Sequence, residues 1–150
     1  MEKCLSVAKL LCDMYKEAFH CEIDEMKTHK LMYFAQRESL ILFDEPLFDD
    51  ECFRGWKFGP VLKCVRDAFR NSSLKDISPS SSDRAKEVID CVIKRYGSLS
   101  AWTLSGLSHQ EISWKVSRAG LQPDDNGNKI ISNDAIRIDA SREKTSRSLN

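Results

Sequence analysis

The sequence predicts a mainly α-helical fold, a single compact domain of about seven helices, on three observations. Apolar residues recur at three- and four-residue spacing along most of the chain, which is the spacing of one helix face. Residues that cap helices, such as Asp24 and either Ser82 or Asp83, stand directly before several of these segments. The 150 residues suffice for one hydrophobic core, and no internal repeat divides them.

The first two helices are expected at residues 3–19 and from Asp24 to about Phe43. In the first, Val7, Leu11 and other apolar residues form a single stripe. The second is apolar on most sides from Leu31 onward, and a helix of that kind is buried among others. We therefore expect the second helix at the centre of the domain.

The segment after the second helix is aromatic and irregular. Residues 47–58 are too short for a helix, and we expect a small β-hairpin near them. Pro60 then suits the first turn of a third helix, where its missing N–H costs nothing. A serine-rich loop at 71–82 leads to a fourth helix, which Gly97 is expected to end as a left-handed C′ residue.

Shorter elements are expected in the last third of the chain. A helix from Ser100 to about Leu107 is followed by another that starts near Glu111. Either Ser132 or Asn133 is expected to cap a last short helix. The segment 139–150 is charged and serine-rich, which predicts a disordered tail and places the end of the folded domain at residue 138.

Composition excludes several classes of function. The 23 basic and 23 acidic residues balance, which predicts no general electrostatic attraction to nucleic acid or to an anionic membrane. The longest apolar run, residues 31–35, is far too short to span a bilayer. The six cysteines follow no secretory signal and no Cys-x-x-Cys spacing, so we expect reduced thiols and a cytoplasmic location. No cofactor or metal is expected.

Histidine chemistry is the main enzymatic alternative. His109 lies two residues from Glu111, so a hydrolase with His109 as general base is one hypothesis. No partner nucleophile is evident, and the favoured interpretation gives His109 a structural role. A metal site at residues 20–24 is not favoured, because adjacent positions in a short connection rarely converge on one ion.

Three segments of the chain form a pattern that is more specific than any of them alone. These are the aromatic helix KLMYFAQ at 30–36, the turn GWKFGPV at 55–61 and the segment LSHQEISWKVSRAG at 107–120. Together they resemble the Panacea domain, the SocA-like antitoxin or GepA-type domain of bacteria and their phages, over residues 4–138. The chain departs from the family pattern at Ser113, where proline is common, and at Gly55, where alanine is common.

The resemblance implies a binding protein and no enzymatic activity. A member of this family is expected to neutralise a cognate protein toxin, encoded by an adjacent gene, by direct binding, and the resemblance also implies a protease-adaptor role for some members. A phage accessory protein that binds another host factor is a further alternative. The expected partner-binding residues, each also compatible with core packing, are Trp56, Phe58, Pro60, His109, Glu111 and Trp114.

Overall fold

The computed structural model describes residues 1–149, and within them it contains seven α-helices, one short 3-10 helix and three short strands. This confirms the predicted mainly α-helical class. None of these helices is long and apolar enough to cross a bilayer. The elements are α1 (Cys4–Phe19), α2 (Glu25–Phe43), β1 (Phe53–Trp56), β2 (Gly59–Val61), α3 (Lys63–Arg70), the 3-10 helix (Leu74–Asp76), α4 (Asp83–Tyr96), α5 (Ala101–His109), α6 (Ile112–Ser117), β3 (Ile130–Ile131) and α7 (Asn133–Ser148).

Helix α2 is the centre of the fold, as predicted. Every residue from Thr28 to Leu40 is buried, and α2 packs against α1, α3, α4, α5, α7 and β2. Its start is fixed by the Asp24 side chain, which accepts a hydrogen bond of 2.7 Å from the backbone N–H of Lys27. Because α2 is surrounded, its polar side chains must find partners inside the protein.

Those buried polar side chains fasten other segments to α2. The Gln36 amide donates to the carbonyl of Phe48 at 2.8 Å and accepts from the backbone N–H of Leu47 at 2.8 Å. Lys30, Tyr33 and Arg37 bond in the same way to more distant parts of the chain. The polar residues of this helix therefore hold loops and other helices in place.

The three strands form a small antiparallel sheet with the order β2-β1-β3. The hairpin of β1 and β2 is displaced toward the C-terminus from the predicted 47–58 segment. Pro60 lies in β2, opposite Gly55, so its predicted place in the first turn of a helix is wrong. A proline fits this position because β2 is an edge strand, whose outer N–H groups need no partner. Gly59 permits the tight turn before it with a φ of 123°.

The C-terminal segment also differs from the prediction. Residues 139–148, expected to be disordered, continue α7 without a break. Asp139 is 1% exposed and Arg147 donates to the Glu38 carboxylate at 3.0 Å. These charged residues are ordered because they meet buried partners on other elements, which a local pattern does not reveal.

Helix ends follow the predicted caps with one exception. Ser82 and Ser132 accept hydrogen bonds from the backbone N–H groups three residues later. Gly97, expected in a left-handed conformation, has a φ of −61° instead. A Cβ at this position would lie 2.8 Å from the Phe19 ring, so glycine is needed here for close packing of α1 against the end of α4.

Candidate functional site

An open groove of about 650 Å³ lies between the start of α2, the β1–β2 turn and α3. We call it the cationic groove, because five basic side chains and one carboxylate line it. Its basic residues are Lys30, Lys57, Lys63, Arg66 and Arg70, its carboxylate is Glu25, and its main apolar residues are Met26, Trp56, Phe58 and Val61.

Two of the predicted partner-binding residues, Trp56 and Phe58, lie in this groove. The Trp56 indole N–H donates to the Asn128 side chain at 3.2 Å, and the Arg66 guanidinium lies 5.4 Å from the Trp56 ring centre. Phe58 is 59% exposed, with the Lys57 ammonium 5.3 Å from its ring centre. The groove thus presents aromatic faces that are each accompanied by a cation.

Lys30 forms part of the groove wall and is almost fully buried, with 2% of its surface exposed. Its ammonium donates to the carbonyl oxygen of Phe58 at 2.7 Å. Among the described residues, no carboxylate forms an ion pair with it. Burial lowers the pKa of Lys30 to about 8, because the charged form loses its hydration. At neutral pH the Lys30 side chain is therefore positively charged. In the part of the chain that the structure describes, the Phe58 carbonyl is the one acceptor of its hydrogen bonds.

The groove's carboxylate is already engaged by His29. The Nδ1 atom of His29 accepts a hydrogen bond of 3.2 Å from the backbone N–H of Leu62, so the proton is on Nε2. That Nε2 lies 3.0 Å from the Glu25 carboxylate and donates to it. Burial lowers the pKa of His29, which keeps the ring neutral. His29 therefore fixes both the start of α3 and the orientation of Glu25.

Farther along α2, about two turns from Lys30, lies a buried ionic cluster, which consists of Tyr33, Arg37, Glu111, Ser113 and Asp139. Asp139 of α7 accepts hydrogen bonds of 2.8 Å from the backbone N–H groups of Ile112 and Ser113, at the start of α6. It also accepts from the Tyr33 hydroxyl at 3.1 Å. Proline at position 113 would have no N–H to donate, so the serine of this chain supplies one of the bonds that join α6 to α7.

Glu111 forms an ion pair with Arg37 inside this cluster. Arg37 donates a second hydrogen bond, of 2.7 Å, to the Tyr96 hydroxyl. Burial, together with the nearby Asp139, raises the pKa of Glu111 to about 7. Glu111 is only 7% exposed and faces a smaller cavity of about 280 Å³, which shares no lining residue with the cationic groove.

The rings of His109 and Trp114 stack on each other next to β1, the strand that carries Trp56. Their ring centres are 4.1 Å apart with an angle of 9° between the planes, and the Trp114 indole N–H donates to the carbonyl of Trp56 at 2.8 Å. Burial lowers the pKa of His109. His109 lines neither the cationic groove nor the 280 Å³ cavity of Glu111, and the Glu111 carboxylate is paired with Arg37.

The structure therefore separates the six predicted site residues into four places. Trp56 and Phe58 line the cationic groove, Pro60 is buried in β2, and the remaining three belong to the supporting cluster and the stacked pair. Sequence reasoning missed the basic residues of the groove. Their signal was present in α3, where Lys63, Arg66 and Arg70 recur at three- and four-residue spacing opposite the apolar stripe.

Comparison with known proteins gives one family. Residues 29–115, more than half of the chain, match the family described as antitoxin SocA-like, Panacea domain. No curated protein and no solved structure matches the chain. The family match supports an antitoxin-type role in general terms, and it covers the central helix, the hairpin, α3 and the start of α6.

Proposed function

This chain belongs to the antitoxin SocA-like family of Panacea domains, and we propose that it neutralises a cognate protein toxin by binding it directly. The partner is the product of an adjacent gene, and the setting is the cytoplasm of a bacterium or of a phage-infected cell. The observation that carries the proposal is that the family-matched segment itself supplies most of an open groove with exposed aromatic and basic side chains.

The chemistry of the groove favours binding of a protein. Aromatic residues and arginine are enriched at the energetically important positions of protein interfaces. Trp56, Phe58 and Arg66 bring these residue types together around one open concave surface. The hydrogen bonds from Lys30 and Ser105 to the Phe58 carbonyl hold the turn in place, so little conformational entropy is lost when a partner binds.

Neutralisation by masking is the mode we propose, since one surface suffices for it. Delivery of the toxin to a protease is the second mode implied by the family, and it requires a further surface for the protease. The two modes differ in the fate of the toxin, because masking leaves its amount unchanged and delivery shortens its lifetime.

The test is growth of cells that express the adjacent gene with and without this protein. We expect toxicity from the neighbour alone, rescue on co-expression, and co-purification of the two proteins. The variant Phe58→Ala is expected to weaken rescue, whereas Lys144→Glu, an exposed change on α7 away from the groove, is expected to rescue fully. A pulse-chase of the toxin separates masking from proteolysis.

Two outcomes would contradict the proposal. A neighbour that is harmless by itself would leave no toxin to neutralise and would favour a phage accessory protein with another target. Rescue without any physical association would point to an indirect mechanism.

A further inference from the structure

The cationic groove has a surplus of positive charge that the protein itself does not balance. The chain as a whole is neutral, yet five basic residues and one carboxylate line the groove. Among the described residues, Lys57, Lys63 and Arg70 form no ion pair, and Arg66 approaches Asp67 only at 3.9 Å. By contrast, the buried Arg37 has Glu111 as a carboxylate partner, and the buried Arg118 donates to backbone carbonyls such as those of Gly55 and Asp125.

Two of these cations also have unused hydrogen-bonding capacity. Nε of Arg66 is buried and has no acceptor among the described residues. The Lys30 ammonium has three N–H donors, but it has one protein acceptor, the Phe58 carbonyl. Buried donors and charges are normally satisfied, so these groups are suited to an acceptor that a ligand brings.

Apolar surface accompanies the charge. Phe58 is 59% exposed and Met26 is 48% exposed, and both line the groove together with the Trp56 ring. A small inorganic anion would leave this surface uncovered. A ligand that fits both features carries negative charge and at least one apolar side chain.

We propose that the cationic groove binds an acidic peptide segment of the partner protein, with Asp or Glu carboxylates on Lys30, Arg66 and the basic rim and an apolar side chain against Phe58 and Met26. The identity of the partner as a toxin rests on the proposed function, but the chemistry of the bound segment does not. A peptide is favoured over nucleic acid because the rest of the chain lacks the basic excess that phosphate binding uses.

The experiment is selection of a random phage-displayed peptide library, with inserts of about 12 residues, on the immobilised full chain. We expect enrichment of peptides that combine several Asp or Glu residues with Phe, Trp, Leu or Ile. One enriched peptide is then synthesised, and its Kd is measured by fluorescence anisotropy. The variant Lys63→Glu/Arg66→Glu/Arg70→Glu is expected to weaken binding by at least about tenfold, and the control Lys144→Glu is expected to leave it unchanged.

A second variant keeps the inference testable if the charge-reversed variant does not fold. Phe58 is exposed, so Phe58→Ala is expected to keep the thermal unfolding transition and still weaken binding of the selected peptide by about tenfold. The inference is overturned if no acidic motif is enriched or if the charge-reversed protein binds the peptide as well as the wild type does. It is also overturned if single-stranded oligothymidylate displaces the peptide from the groove.

The outcomes keep this inference separate from the proposed function. If co-expression rescues growth but the charge-reversed variant rescues equally well, the groove inference fails and the antitoxin role stands. If the neighbouring gene is harmless but the acidic peptide binds the groove, the antitoxin role fails and the groove inference stands.

Discussion

The cationic groove and the buried ionic cluster place the same kind of residue in two different situations. Lys30 and Arg37 lie two turns apart on α2, and both are almost fully buried cations. Arg37 has the Glu111 carboxylate as a direct partner, whereas Lys30 has only a backbone carbonyl. One helix therefore supports a charge-balanced region at one point and a region with uncompensated positive charge at another.

Whether a buried cation has a carboxylate partner decides whether its removal should affect stability or binding. A buried charge with a carboxylate partner contributes to the native structure, and removal of one member of the pair is costly. A buried charge without such a partner lowers stability, because burial removes its hydration. Changes in the cluster should therefore weaken folding, and changes in the groove should weaken binding with little or no loss of stability.

The largest expected effect on stability comes from removal of one partner of the Arg37–Glu111 pair. Glu111→Leu leaves the Arg37 guanidinium buried without its direct counter-ion, which at pH 8, above the Glu111 pKa of about 7, is expected to lower the free energy of unfolding by about 3–5 kcal/mol. Urea unfolding measures it. The double variant Arg37→Met/Glu111→Leu is expected to recover most of the loss. A single variant as stable as the wild type would mean that the pair contributes nothing.

The next effect concerns the contact between α6 and α7. Asp139→Asn replaces a carboxylate that accepts three hydrogen bonds with an amide that has one oxygen, at an expected cost of about 1–3 kcal/mol. Thermal unfolding followed by circular dichroism measures it. Lys144→Gln, an exposed charge-to-amide change on the same helix, is the matched control. Equal melting temperatures for both variants would contradict the structural role of Asp139.

A smaller effect of opposite sign is expected in the groove. Lys30→Met removes a buried charge, and the Phe58 carbonyl keeps Ser105 as a donor, so the variant is expected to be more stable than the wild type by about 1 kcal/mol at pH 7. The pKa of Lys30 is about 8 in the folded protein, against an ordinary value of 10.5 in the unfolded chain. The wild type gains stability as the pH rises from 8 to 10.5, because only the unfolded chain then holds the proton.

The pH dependence of the stability difference between Lys30→Met and the wild type is the control for this prediction. The advantage of Lys30→Met is expected in full below pH 8 and to disappear through pH 10.5, as measured by urea unfolding across that range. The same variant is expected to weaken partner binding. An advantage that is independent of pH would contradict the assignment of the effect to the ammonium charge.

The smallest effect on stability is expected for the rim of the groove. Lys63→Glu/Arg66→Glu/Arg70→Glu changes residues on the outer face of α3, so the free energy of unfolding should change by less than about 0.5 kcal/mol per site. Toxin rescue should nevertheless be impaired, and peptide binding should weaken by at least about tenfold. Urea unfolding and the growth assay, performed on the same variant, test for unchanged stability together with impaired rescue. An unfolded variant would contradict the prediction.

The sequence predicted those parts of the fold that depend on local periodicity. The bounds of α1 and α2 agree with the expected 3–19 and 24–43 to within one residue, because each helix has a long apolar pattern and α2 has a capping aspartate. The full length of α7 was missed. Its ordered C-terminal half depends on Asp139 and Arg147, whose partners on other elements lie 26 or more residues away along the chain.

The candidate site was predictable in its aromatic part only. Trp56 and Phe58 stand in a recognisable turn motif, so their segment could be singled out. The basic residues come from α2, the hairpin and α3, and an overall charge of zero conceals their accumulation. Glu111 was chosen for its chemistry and its closeness to His109 in sequence, but His109 is the last residue of α5 and Glu111 precedes α6, and the Glu111 carboxylate pairs with Arg37.

The cationic groove also gives the molecule an electric dipole. Since the whole chain is neutral, a surplus of four positive charges around the groove leaves an equal negative surplus on the rest of the protein. A partner with a negative patch is then turned toward the groove before contact, which raises the association rate at low ionic strength more than it changes the dissociation rate. The arrangement favours rapid capture of a partner, as the proposed neutralisation of a toxin requires.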